Sequence, residues 1–305
     1  MSVDAPRISS PQSLAVLIPT LNRPGDLETA VRTLLAQTLL PQELIIIDQS
    51  RTDDSERRVR ALFEQHPECA ALVDLRYTRD PAIDSLAKAR NIALDQNRSD
   101  IFLFLDDDVE LETDFIQQLM QGYWNDADVA GISGIITNYR PGGFASRLWQ
   151  KTFVRGPFRD DRQKLYFRAD ELRGGSRIPV DRFGGGLMSF RTAAVGGLRF
   201  DPNLRGASEG EDVDFCLHMP KGSRLEIDPN ARLVHKASMS ARSDEHWIAA
   251  VVRGNTYLYH RNWQSGVFNR LAFAWLICGF ALLAGLACAK RKSLGPWREF
   301  SNAMR

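Results

Sequence analysis

The chain has 305 residues, of which 44% are hydrophobic and 25% charged, and its formal charge is +1 at pH 7. That length and balance suit one large globular domain or one domain with an appendage, and they argue against a disordered chain. A charge so close to zero provides no global attraction to nucleic acid, so no nucleic-acid partner is expected.

Met1 to Ser13 is polar, contains proline and lacks an apolar centre. It reads as a flexible tail rather than a secretory signal, which keeps the domain behind it in the cytoplasm. Leu14-Ala15-Val16-Leu17-Ile18 is a first buried strand stopped by Pro19-Thr20, and apolar residues at Leu27, Ala30, Val31, Leu34 and Leu35 repeat at helical spacing over Asp26 to Gln37. Leu44-Ile45-Ile46-Ile47 forms a second strand ending on Asp48, followed by a charged helix from about Thr52 to Gln65. Strand, helix and strand in so short a span make a parallel unit. A third strand near Asp74 to Tyr77 and a helix from Ile83 to Asp95 complete one nucleotide-sized α/β half.

Ile101-Phe102-Leu103-Phe104-Leu105 then reads as a strand buried on both faces, and Asp106-Asp107-Asp108 follows it directly. Three like charges beside a core need a cation or a ring of donors. In an extended segment Asp106 and Asp108 point to one side and Asp107 to the other, so the outer pair can converge on one hard cation at the end of the sheet, where open α/β sheets bind ligands. A solvated acidic turn is the alternative.

Beyond Asp114 the alternation loosens into a helix to about Tyr123, a strand near Val129 to Ile136, and a long Gly- and Arg-rich stretch to Arg182. From Tyr139 to Arg182 eleven Lys or Arg face five Asp or Glu, a surplus suited to a phosphate-bearing partner or to a solvated basic loop. In Phe183-Gly184-Gly185-Gly186 the absent side chains would let a ligand lie against backbone, although a structural turn explains the glycines nearly as well. Gly210-Glu211-Asp212 opens a helix with acids in its first turn, either for the helix dipole or to face a reacting hydroxyl. Cys69, Cys216, Cys278 and Cys288 have no metal-ligand spacing and are expected as buried thiols.

Taken together, Val16-Leu17-Ile18-Pro19-Thr20-Leu21-Asn22-Arg23-Pro24, Ile45-Ile46-Ile47-Asp48-Gln49-Ser50, Ala89-Arg90-Asn91, the Asp triplet, Gly184 to Gly186 and Glu211-Asp212 resemble, in order and spacing, the family 2 glycosyltransferases of the GT-A fold. The resemblance covers roughly Leu14 to Met239. It implies a nucleotide-binding half (about 14–110) joined to an acceptor half (about 111–245) over one mostly parallel sheet; 246–305 is expected, from its own apolar run, to be a helical membrane-associated appendage. It also implies inverting transfer of a sugar from a UDP- or dTDP-linked donor. Pro19, Thr20 and Asn22 would line the base pocket and Asp48 would accept from the pyrimidine imide. Arg90 would lie near the donor phosphates or brace the acidic loop. Asp106 and Asp107 belong to the nucleotide site, Asp106 facing the ribose or a metal-bound water, and Asp108 would bind Mn²⁺ or Mg²⁺. His235 stands about where some relatives place a histidine near the metal, though it could equally be a core or surface residue. Asp212 would be the base, Glu211 would orient the acceptor, and Gly185 and Gly186 would border the sugars. No Gln-x-x-Arg-Trp signature of processive synthases is present, since Arg261-Asn262-Trp263 does not supply it, so one sugar per encounter is expected.

Leu271 to Ala289 is a nineteen-residue run without charge, just long enough to cross a bilayer, but basic residues flank it on both sides. Both flanks stay on the cytoplasmic face if the run re-enters as a hairpin bent near Gly279 or Gly285; a true span and a buried helix are the other readings. An acceptor linked to a polyprenyl diphosphate, used in surface polysaccharide assembly at the cytoplasmic face of the plasma membrane, would account for both this anchor and the basic stretch. Two readings compete with transfer: a sugar-phosphate nucleotidyltransferase, which usually carries a Gly-rich basic loop after its first strand that Pro19 to Pro24 does not resemble, and an inactive glycan-binding module, which would not need Asp48, Asp108 and Asp212 together.

Overall fold

In the computed structural model of the protein, which describes residues 12–140, 142–204, 210–236 and 247–304, nine strands form one sheet. At its centre β1 (Leu14–Thr20) runs parallel to β2 (Glu43–Asp48) and to β4 (Ile101–Leu105), and β3 (Asp74–Arg79) extends the sheet beyond β2. Every residue of β1, β2 and β4 is buried, because helices cover both faces. These helices are α1 (Pro24–Leu35), α2 (Asp54–Gln65), the short α3 (Pro67–Ala70) and α4 (Leu86–Gln96), whose Ser85 cap accepts from the Lys88 N–H at 3.3 Å. Register sets Thr20 directly beside Asp48, so the ends of β1 and β2 form one rim.

The second half contains β5 (Val109–Leu111), α5 (Phe115–Asn125), β6 (Val129–Ile136), α6 (Phe144–Phe153), α7 (Arg162–Tyr166), α8 (Ala169–Leu172), β7 (Ile178–Val180), β8 (Leu187–Arg191), α9 (Thr192–Val195), α10 (Glu211–Leu217) and β9 (Arg224–His235). The strand order is β3-β2-β1-β4-β8-β6-β9-β5, with β7 also on β9. The expected mostly parallel sheet is therefore found in the first four strands, whereas β8 is antiparallel to both β4 and β6, and β5 and β7 are antiparallel to β9. β9 bulges against β6 and then reaches β5, which sets His235 opposite Val109. Neither β5 nor β9 was legible as a strand in the sequence, and the basic stretch expected as irregular contains α6, α7 and α8.

Residues 1–11 of the expected tail lie outside the described residues. Ser13 does not belong to a loose tail: its N–H and hydroxyl donate to Asp100 at 2.9 Å, and its carbonyl accepts from Ile101. Cys69 and Cys216 are buried as expected, but Cys278 is exposed and Cys288 half-buried.

The C-terminal appendage consists of α11 (Trp247–Leu258), a π-helical turn (Tyr259–Trp263), α12 (Val267–Arg291) and α13 (Gly295–Ala303). The hairpin expectation is not met, because α12 runs unbroken through Gly279 and Gly285 for 25 residues, about 37 Å. Gly279 serves contact instead of bending: a Cβ there would lie 2.5 Å from the Phe153 ring, so its absence lets α6 approach. Trp149 donates to the Gly279 carbonyl at 3.0 Å and Trp275 to the Thr152 carbonyl at 2.8 Å. Ala272, Leu276, Phe280 and Ala284 form the buried stripe of α12, and the Tyr259 ring stacks on Phe273 at 4.0 Å. The proposed boundary near 246 falls within 237–246, outside the described residues.

This packing has a measurable consequence. Phe280→Ala should lower the unfolding free energy by about 3–5 kcal/mol, the range for truncating a buried aromatic ring, whereas exposed Leu286→Ala should change it by less than about 0.5 kcal/mol. Urea unfolding of both variants checks this, and equal small effects would mean that α12 is not docked on the domain.

Candidate active site

The acidic turn begins where the buried strand β4 stops. The Asp106 N–H donates to the Gly186 carbonyl at 3.1 Å, and the Lys236 N–H donates to the Asp108 carbonyl at 2.8 Å, so β8 and the end of β9 hold the turn from either side. His235 Nε2 lies 2.9 Å from Asp108 Oδ1 and 3.5 Å from Asp106 Oδ2. Ligand atoms of Asp106, Asp108 and His235 all fall within 4.8 Å of one another. Burial disfavours charge on His235, but hydrogen bonds to Asp106 and Asp108 and their negative charge outweigh it, and its pKa is pushed up to about 10. The imidazolium thus occupies the place where two carboxylates and a neutral imidazole could hold a divalent cation, and cation binding there would displace its proton.

Asp107 turns the other way, as the alternation of an extended segment requires. It accepts from the Thr20 hydroxyl at 2.6 Å and from Arg23 Nη1 at 2.9 Å, and Arg23 also reaches Asp108 at 3.2 Å. Burial pushes the Asp107 carboxyl up to about 6, against the pull of Thr20 and Arg23. Asp107 thereby ties the acidic turn to the rim of β1, beside the Thr20 with which it was expected in the nucleotide site. Arg23 was quoted in the first motif but had no role. The signal that could have found it is the need of three carboxylates for a nearby cation.

At the same rim the Asn22 N–H donates to Ser50 Oγ at 2.7 Å, with Asn22 at φ 56°. Asp48, with 0% exposure, accepts from the Ser50 N–H at 2.8 Å and from the Tyr77 hydroxyl at 2.7 Å. Burial, reinforced by Asp48, pushes the Tyr77 phenol far up. Pro19, Thr20, Asn22 and Asp48 are thus brought together, but the Asp48 carboxylate is engaged by the wall of the pocket and is not open to a ligand.

Arg90, on α4, is 1% exposed, and its contacts are those of a brace for the site. Its Cζ lies 5.5 Å from the Phe104 ring and 5.4 Å from the Phe200 ring. The neighbouring Asn91 exchanges two hydrogen bonds with the Phe200 backbone at 2.8 and 2.9 Å, which sets that ring over the guanidinium. Arg90 Nη1 donates to Glu211, and Nη2 donates to the Gly185 carbonyl at 2.7 Å. Burial pushes Glu211 up to about 8; Arg90 opposes the shift and Asp212 adds to it. Glu211, expected to orient the acceptor, is here paired with Arg90.

Asp212 is half-buried and accepts from the Val213 N–H and the Gly185 N–H, each at 2.8 Å. The glycines allow this closeness. A Cβ on Gly186 would lie 2.4 Å from Asp106, and one on Gly185 would lie 2.9 Å from Glu211, so the space left by their missing side chains is filled by the protein's own acids. A cavity of about 220 Å³ is nevertheless bordered by Gly184 to Gly186 together with Asp106, His235 and Arg162. Helix α10 is fixed from behind: Asp214 meets Arg261 Nε at 2.9 Å and Asn262 Nδ2 at 3.0 Å, while Arg261 and Tyr257 also bind Asp201. Asp214 and Arg261 were missed because their partners lie far away in sequence, and Arg162 because only the fold sets its pair with nearby Asp160 against Gly184.

The family model described as "Glycosyl transferase family 2" matches residues 15–184, more than half of the chain. Among curated proteins, the chain is 28% identical over 232 residues to the succinoglycan biosynthesis protein ExoM of Rhizobium meliloti, covering 75% of this chain and 68% of that protein. It is 31% identical over 108 residues to a GalNAc(5)-diNAcBac-PP-undecaprenol beta-1,3-glucosyltransferase of Campylobacter jejuni, covering 35% of this chain and only 33% of that protein's length. Among solved structures, the mannosyltransferase PcManGT of Pyrobaculum calidifontis, in complex with GDP-Man and Mn²⁺, superposes with a TM-score of 0.61 at 16% identity, over 97% of this chain and 87% of that one. S. aureus TarS 1–349 in complex with UDP-GlcNAc reaches 0.55 at 14% identity, over 95% and 79%. At these identities the likeness is one of fold, and the fold is GT-A.

The Arg90–Glu211 brace can be tested by itself. Arg90→Met should cost about 3–5 kcal/mol of stability because it strands a buried acid, and adding Glu211→Gln should recover part of that loss. A double-mutant cycle by urea unfolding measures the coupling, and strictly additive losses would contradict the pairing.

Proposed function

The chain belongs to glycosyl transferase family 2 and is a transferase; on that premise we propose that it performs inverting, metal-dependent transfer of one sugar from a UDP- or dTDP-linked donor to a glycan carried on a polyprenyl diphosphate. The observation that carries this reading is the convergence of Asp106, Asp108 and His235 on one point, joined by a glycine strip to the carboxylate of Asp212. A divalent cation held by those three groups supplies charge stabilisation for the departing nucleoside diphosphate. An imidazole ligand favours Mn²⁺ over Mg²⁺.

This chain's residues perform the remaining tasks. The rim of Pro19, Thr20, Asn22 and Asp48 receives the base, and a small shift of Tyr77 would free an Asp48 oxygen for an imide N–H. Asp212 takes the proton of the acceptor hydroxyl as the new bond forms. Its two backbone hydrogen bonds fix the direction of the carboxylate and leave each oxygen a lone pair for that proton. Glu211 and Arg90 hold Gly185, and through it Asp212, in place. The polyprenyl-linked acceptor is supported by the name of the Campylobacter relative, and a role in polysaccharide assembly by that of the Rhizobium relative.

The acceptor's lipid also suits the outer surface of the appendage. Phe268, Leu271, Trp275 and Leu286 of α12 are exposed, as are Phe144 and Leu148 of α6, and both helices also expose basic residues, Arg147, Lys151, Arg270, Lys290 and Arg291. Among the described residues, α12 alone is long and apolar enough to cross a bilayer. Its middle is nevertheless packed on the domain, so crossing would drag the basic helix α6 into hydrocarbon. We therefore assign it an in-plane seat on the cytoplasmic face of the plasma membrane, with apolar side chains immersed and basic ones at the headgroups.

Two experiments bear on this reading. With Mn²⁺ and a panel of nucleotide sugars, Asp108→Ala should lose metal-dependent donor binding by calorimetry, while Asp212→Asn should keep donor affinity and lose turnover by roughly 10²- to 10⁴-fold, the range for a general base. Near-normal turnover of Asp212→Asn would remove it as the base. In flotation with vesicles containing phosphatidylglycerol, Phe268→Glu with Leu271→Glu should abolish binding, and high salt should weaken that of the unmodified chain. Retention through alkaline carbonate extraction of cell membranes would instead require a true crossing.

A further inference from the structure

One cation of the cavity has a hydrogen-bond donor without a partner among the described residues. Arg162 opens α7 and is 8% exposed. Its Nε and Nη2 donate to the two oxygens of Asp160 at 2.9 and 2.7 Å, a forked pairing that offsets the charge of both groups. Nη1 is buried without a partner among the described residues, and it faces the bare side of Gly184, where a Cβ would lie 3.4 Å away. Native interiors rarely leave such a donor unmatched, and where they do, a missing ligand or water is the usual reason.

The position of this donor is informative. Gly184 stands against Arg162, Gly185 holds Asp212 through its N–H, and Gly186 carries Asp106 through its carbonyl. Three consecutive glycines thus connect an unused donor, the proposed base and the proposed metal site. Arg162, Asp160, Tyr166, Asp106 and His235 border one cavity of about 220 Å³, below the roughly 300–1,000 Å³ of drug-sized pockets and suited to a single ring. The donor's phosphates belong with the cation at Asp106 and Asp108. Because Asp160 already neutralises Arg162, the spare N–H suits a neutral oxygen better than a second anion.

We propose that the Asp160–Arg162 pair is a sugar-recognition element, in which Arg162 Nη1 donates to a hydroxyl or acetamido oxygen of the transferred hexosyl unit. The inference rests on the transferase reading above and identifies a specificity-determining residue that neither the motifs nor the family match assigns. Asp160 positions the guanidinium, and Gly184 leaves room for the sugar oxygen to reach it.

The test uses the full chain with Mn²⁺ and three calorimetric pairs: UDP and UDP-glucose, dTDP and dTDP-glucose, GDP and GDP-mannose. Arg162→Lys keeps a charge for Asp160 but removes Nη1. For the pair that the unmodified chain binds, the variant should bind the sugar nucleotide roughly 10- to 100-fold more weakly, the range for a hydrogen bond to a charged donor, and the nucleoside diphosphate unchanged. Equal weakening of both would make Arg162 a phosphate ligand, and no weakening of either would make it structural; each result overturns the proposal. A second measurement needs no variant. Among monodeoxy analogues of the bound donor, one should lose a similar factor with the unmodified chain and lose nothing further with Arg162→Lys, whereas additive losses would refute the contact. If the unmodified chain bound none of the six nucleotides, the proposed UDP- or dTDP-linked donor would fall, a result distinct from the others.

Discussion

Three adjacent carboxylates leave a strand that has no exposed residue, and their compensation is shared among separate parts of the chain. Asp107 is answered by Thr20 and Arg23 from the end of β1, and Asp108 by His235 from the end of β9 and by Arg23. Asp106 is answered by His235, with Arg90 3.8 Å away. Like charges at neighbouring positions repel, so the turn is stable only when those elements are all in place. The acidic turn is therefore the joint of the two halves: the parallel half supplies Arg23 and Arg90, and the mixed half supplies His235 and the glycines.

A second layer stands behind the site. Arg90 is enclosed by two aromatic rings and answered by Glu211, so a full charge is kept in the interior by partners from α4, β4, α10 and the segment carrying Phe200. Such a pair contributes less to net stability than to arrangement, because desolvation offsets much of its attraction while the loss of one partner is severe. The arrangement it enforces is the backbone of Gly185, whose carbonyl Arg90 holds and whose N–H holds Asp212. The appendage reaches the same helix from the other side through Arg261 and Asn262 on Asp214. The apolar segment that faces lipid in the proposed reading is thus continuous with the frame of the catalytic helix.

Much of this was legible because it is local. Strand lengths, the position of the acidic triplet and the divergence of Asp107 from Asp106 and Asp108 all follow from apolar runs and the two-residue period of extended chain. The side-chain partners were not legible, because hydrogen bonds such as Arg90 to Glu211 or Trp149 to Gly279 join residues more than a hundred positions apart. Gly185 and Gly186 show the difference well. The sequence marks them as places of close approach, but it does not reveal that the approaching groups are Glu211 and Asp106 rather than a ligand.

By itself the sequence determined the alternating α/β half, the acidic turn at the end of a buried strand and the family to which the chain belongs, since each depends on short-range patterns of polarity and chain stiffness. The tertiary structure alone decided which acids converge and which serve the frame, that the second half of the sheet is mixed, and that α12 is one unbroken helix docked on α6. The physical reason is the same in each case. Compensation of buried charge and close packing against glycine depend on distances across the fold, and those exist only once a curling strand such as β9 has brought His235 beside Asp108.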